Sequence, residues 1–124
     1  MENRKKKILV FDDEKTILDV FTIIFAENGY EVEISETSHD ILERVESFQP
    51  DLILMDNWIP NIGGIQALKL LRKKEEYKNI PVIYISANSD ISALAKKAEA
   101  DDFIAKPFDL VALENLVGKF LCKN

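Results

Sequence analysis

Short apolar runs alternate with stretches of helical period along the whole chain, and this alternation constrains the fold more than any other feature. "KILVF" reads as a buried strand, after which Ile17, Val20, Phe21, Ile24 and Phe25 recur at helical spacing as far as Gly29, a natural helix stop. "YEVEIS" sets Tyr30, Val32 and Ile34 against Glu31, Glu33 and Ser35, the period-2 pattern of a strand with one face covered. Thr37 or Ser38 is placed to cap a helix carrying Ile41, Leu42, Val45 and Phe48. "DLILM" is apolar on both faces; a loop with Pro60 and Gly63-Gly64 follows, then a helix with Ile65, Leu68 and Leu71. "PVIYIS" repeats the strand signal, and Asp90 can cap a helix with Ile91, Leu94, Ala95 and Ala98. "DFIA" is the last strand, and "KPFD" leads into Leu110, Leu113, Leu116, Val117 and Phe120. Five strand–helix units in strict order predict an α/β fold, a parallel sheet with helices on both faces.

No linker, low-complexity stretch or repeat interrupts the pattern, so residues 1–124 are read as one domain, a length that suffices for one core. The apolar runs "ILVF", "LILM" and "VIYI" are too short for a membrane span. "MENRKKKILVFDDE" meets an acidic triplet after four apolar residues, which is not a secretory signal. A single cysteine, Cys122, forms no internal disulfide, and a cytoplasmic location is expected. A net charge of −6 argues against direct nucleic-acid binding. The basic clusters Arg4 to Lys7 and Lys69 to Lys74 read as the solvated end of a strand or the outer face of a helix.

In an open parallel sheet the C-terminal strand ends share one edge, and ligands bind outside it. The polar residues there are Asp12 and Asp13 after the first strand, Asp56 after the third, Ser86 after the fourth and Lys106 after the fifth. Each alone has a structural explanation: a helix cap, an Asx turn, a surface charge. Together they form a cluster in which carboxylates about 5 Å apart repel by roughly 3 kcal/mol per pair at an effective dielectric near 20. A cation must offset that. His39 stands alone, so no soft-metal site is available, and an oxygen-only donor set suits a hard divalent ion, Mg²⁺ before Zn²⁺. An aspartate beside such an ion, a lysine and a hydroxyl is a plausible phosphoryl acceptor.

With "ILVFDDE", "DLILMDNWIPNIGG", "PVIYISA" and "ADDFIAKPF" in order and register, the chain resembles the receiver domain of two-component response regulators over nearly its whole length. The resemblance implies the flavodoxin-like strand order 2-1-3-4-5. It further implies that Asp56 accepts phosphate from a histidine kinase or phosphotransfer protein. Asp12, Asp13, Asp56 and the main-chain carbonyl of Trp58 would hold Mg²⁺, with Mn²⁺ as a substitute. Ser86 and Lys106 would bind the phosphoryl group, Phe103 would be the aromatic that swings inward, and the bond before Pro107 would be cis. Trp58 and Asn88 would flank the phosphoryl group and control access to it. The signal would leave through the face made by the fourth helix, fifth strand and fifth helix, toward an output partner or a fused effector domain.

Three positions depart from the family pattern. Glu99 stands where glycine is usual, Gly63 where an acidic residue often precedes Gly64, and Phe103 where tyrosine is frequent. Alternatives remain. An aspartate-nucleophile phosphatase would need a second Asp at the place of Trp58, and a flavin protein would want a phosphate loop where "FDDEKT" repels phosphate. A receiver-like binding module that is not phosphorylated is the third.

Overall fold

The computed structural model describes residues 5–56, 64–86, 93, 96 and 99–121. Along the chain run β1 (Lys7–Phe11), α1 (Lys15–Glu27), β2 (Glu31–Ser35), α2 (Ile41–Phe48), β3 (Leu52–Asp56), α3 (Gly64–Lys73), β4 (Val82–Ser86), β5 (Asp102–Ala105) and a C-terminal helix, α4 (Leu110–Leu121). All four strand pairings are parallel, in the order β2-β1-β3-β4-β5. The helix expected from Asp90 lies outside the described residues except for Ala93 and Lys96, both helical.

Alternate side chains of the central strands feed two separate cores, which explains why those strands read as unbroken apolar runs. Leu9, Phe11, Ile53, Met55, Val82 and Tyr84 pack with Ile41, Val45 and Phe48 of α2 and Ala67, Leu68 and Leu71 of α3. Ile8, Val10, Leu52, Leu54, Ile83 and Ile85 pack with Leu18, Phe21 and Phe25 of α1 and Leu113, Val117 and Leu121 of α4. Each fully buried side chain of this size contributes about 1.5–3 kcal/mol, so the strand ends are held as rigidly as the cores beneath them.

Some stripes are rotated from their expected places. In α1 the buried line is Leu18, Phe21 and Phe25, while Val20 is half-exposed. In α4 it is Leu113, Val117 and Leu121, with Leu110 exposed. Ile34 is exposed and Ser35 buried, because β2 is an edge strand with a neighbour on one side only. The caps also differ: Glu14 and Asp40 occupy the N-cap positions of α1 and α2, neither with a side-chain capping bond.

At the edge opposite the C-terminal strand ends, Arg72 ties three segments together. Its guanidinium donates to the carbonyls of Lys78 (3.0 Å), Ile80 (2.8 Å) and Glu99 (3.0 Å) and to Asp101 Oδ2 (2.9 Å). Asp101 Oδ2 also accepts from the Val82 N–H at 2.8 Å. Glu99 adopts φ +60°, in the left-handed region where glycine is usual. Gly29, with φ +86°, closes α1 by donating to the Ala26 carbonyl.

Candidate functional site

Two strand ends, those of β1 and β3, deliver the acidic residues. Asp12 follows β1 directly and is anchored by its N–H to the Ser35 carbonyl at 3.1 Å. Asp56 is the last residue of β3, paired in register with Ile85, and both Asp12 and Asp56 are buried. Asp13 is exposed beside them. One carboxylate oxygen from each of Asp12, Asp13 and Asp56 lies within 4.8 Å of the others.

Lys106 comes from the far side of β4. Its N–H donates to the Ser86 carbonyl at 3.0 Å, extending the β5 ladder, and its peptide bond to Pro107 is cis. Its Nζ lies 3.0 Å from Asp56 Oδ1, 3.6 Å from Glu14 Oε1 and 3.9 Å from Asp12 Oδ2. Burial pulls the Lys106 pKa down, but the hydrogen bond and charge of Asp56, with Asp12 and Glu14, outweigh it and leave the ammonium above its ordinary value.

Asp12 has the opposite problem. Its Oδ1 accepts the Glu14 N–H at 3.0 Å, whereas Oδ2 is buried with no hydrogen-bond partner among the described residues. Burial is the main reason that its pKa is raised to about 6; the Glu14 N–H and Lys106 lower it, and the charges of Asp56 and Glu14 raise it further. Tyr84, under the same edge, is raised to about 12 by burial and by Asp56. A buried carboxylate oxygen without a donor, in an oxygen-only group, is chemistry that fits a hard divalent ion. The group best suited to hold one is Asp12, Asp13 and Asp56.

Ser86 ends β4, is buried, and sits on the same edge between Asp56 and Lys106 in strand order. Phe103, on β5 in register with Tyr84, is 39% exposed and stands outside the acidic group. Trp58 and Asn88 lie outside the described residues, as does Gly63. Sequence reasoning passed over Glu14 as a neighbour of Lys106, although the run Asp12-Asp13-Glu14 was the available signal.

Comparison with known proteins agrees with this arrangement. A family model described as "Response regulator receiver domain" matches residues 8–118. The chain is 40% identical to part of the CAI-1 autoinducer sensor kinase/phosphatase CqsS of Vibrio cholerae, over 94% of this chain and 18% of that protein. It is 28% identical to the DNA-binding response regulator MtrA of Mycolicibacterium smegmatis, over 87% of this chain and 47% of that protein. It thus spans less than half the length of these curated relatives. Among solved structures, a putative response regulator from Chloroflexus aurantiacus superposes with a TM-score of 0.88 at 28% identity, covering 97% of this chain and all of that one. From the first strand into the last helix, with the acidic edge between, this chain belongs to the response regulator receiver domains of two-component signalling.

Proposed function

We propose that the chain is a phosphorylation-dependent switch in which Asp56 accepts a phosphoryl group from a phosphohistidine of a histidine kinase or phosphotransfer protein. The observation that supports it best is the contact of Lys106 Nζ with Asp56 Oδ1 at 3.0 Å, beside Asp12 and Asp13 on one sheet edge. In the transfer, a carboxylate oxygen of Asp56 forms a bond to phosphorus while the bond from phosphorus to the imidazole nitrogen breaks. The imidazole leaves with the electron pair and takes a proton, and the product is an acyl phosphate.

Lys106 then stands where it can pair with a phosphoryl oxygen, and the Ser86 hydroxyl is the donor on the neighbouring strand end. Asp12, Asp13 and Asp56, with the Trp58 carbonyl as the family pattern implies, would hold Mg²⁺, which neutralises charge on the transferring group when bound. Receiver domains are regulatory domains, and the reading assigns no separate enzymatic activity. Ser86 and Phe103 would change position on phosphorylation, and the predicted fourth helix, β5 and α4 would present the altered face to a partner. Attack of water on phosphorus restores the carboxylate and releases inorganic phosphate.

The test is incubation with Mg²⁺ and acetyl phosphate followed by mass spectrometry. One labile phosphoryl group on the native protein and none on Asp56→Asn is expected. No adduct on the native chain, or an equal adduct on the variant, would sink the reading.

A further inference from the structure

Lys106 has one acidic neighbour for which the phosphoacceptor chemistry has no use. Glu14 Oε1 lies 3.6 Å from Lys106 Nζ, yet Glu14 is not one of the three carboxylates close enough together to share an ion. Its side chain is 59% exposed, whereas Asp12 and Asp56 are buried. Its main chain is nonetheless fixed: the Glu14 N–H donates to Asp12 Oδ1 at 3.0 Å, and the extended backbone (φ −93°, ψ 107°) makes it the N-cap of α1. A negative charge is therefore pinned by its backbone to the rim of the site, with only its side-chain torsions free.

We propose that Glu14 is a charge gate on the phosphoacceptor: it pairs with Lys106 at rest and must yield that ammonium to the incoming phosphoryl group, so it discriminates among phosphodonors by their charge. The inference deepens the phosphoacceptor reading and rests on it. Of the three acidic partners of Lys106 among the described residues, Glu14 alone is more than half in water, so it is the one that can be released into solvent. Breaking such an exposed pair is a weak barrier in itself. The larger effect is the standing charge at the rim, which opposes a donor in proportion to the donor's own negative charge. At low salt this amounts to about fourfold in rate per unit of donor charge, and it fades as the screening length shrinks.

The experiment compares the native chain, Glu14→Gln and Glu14→Asp in saturating Mg²⁺ with two donors, acetyl phosphate and phosphoramidate, the second carrying less net negative charge. Glu14→Gln is expected to be labelled about sixteenfold faster by acetyl phosphate, a dianion, and about fourfold faster by phosphoramidate, a monoanion, with both gains shrinking in concentrated salt. Glu14→Asp, which keeps the rim charge, stays near the native rate. Beryllofluoride, read by NMR, is expected to bind Glu14→Gln more tightly than the native chain. Calorimetric titration with Mg²⁺ is expected to show a loss of no more than about threefold on Glu14→Gln; a loss beyond tenfold would make Glu14 a metal ligand and overturn the gate. Equal labelling of native chain and Glu14→Gln by both donors would overturn the gate and leave Asp56 as the acceptor. Failure of every variant to be labelled or to bind beryllofluoride would overturn both.

Discussion

Asp12 keeps one carboxylate oxygen on the Glu14 N–H and the other buried without a hydrogen bond from any described residue. Its folded pKa, about 6, stands above the ordinary 3.8, so the folded state binds more protons between those values. Stability of the metal-free protein therefore falls as pH rises through that window, by about 3 kcal/mol from this group, and the contribution is gone above pH 6. Asp12→Asn is expected to flatten that slope and to raise metal-free stability at pH 7.5 by about 2–3 kcal/mol, measured by urea denaturation in chelator. Glu99 carries a different strain, a left-handed backbone at a non-glycine residue. Glu99→Gly is expected to stabilise by about 1 kcal/mol, and an unchanged urea midpoint would refute it. The identity of both residues was legible in the sequence, Glu99 through its departure from the family glycine. The cost at Asp12 was not, because burial and an absent donor are properties of the packed edge. Trp58, two places after Asp56, leads to a kinetic expectation: Trp58→Asn hydrolyses its acyl phosphate faster, followed as decay of the labelled protein.

Arg72 sits near the end of α3 and joins it to the segments before β4 and β5. Its substitution by Met leaves three carbonyls without that donor and Asp101 without its guanidinium, and is expected to cost about 2–3 kcal/mol. Hydrogen exchange should locate the loss at residues 78–82 and 99–101, while the acidic edge stays protected. The elements themselves were readable because strand runs and helical periods differ so plainly in length. The phase of each helix was less so. In α1 the apolar residues Ile17, Val20, Ile23 and Ile24 spread around the cylinder, and only the packing of Phe21 and Phe25 against the sheet decides which line is buried. Arg72 reads from sequence as one member of a basic cluster on a solvated face; the groups that recruit it sit in the loop before β4 and in residues 99–101, which only the fold brings to it.

Two cores of opposite faces support one edge, and a ligand at that edge stabilises the whole domain. Mg²⁺ at a hundred times its dissociation constant is expected to add about 2.7 kcal/mol at pH 7.5, and less at pH 5, where Asp12 is largely protonated; thermal melts at the two pH values check this, and an equal shift would count against the Asp12 assignment. The edge, and the polar residues at its strand ends, were foreseeable from parallel topology; the roles expected of them came from the family pattern. The grip of Glu14 on Lys106 depends on side-chain reach across three strands. The strand order also governs the sequence of events during synthesis. β1 lies between β2 and β3, so the pair Asp12 and Asp13 can be set in place early, Asp56 joins when β3 docks, and Lys106 follows only after β5. A nascent chain that has reached Asp56 but not Lys106 thus carries the carboxylates without their counter-charge. Until Lys106 is in place, the mutual repulsion of those carboxylates works against closing the acidic edge.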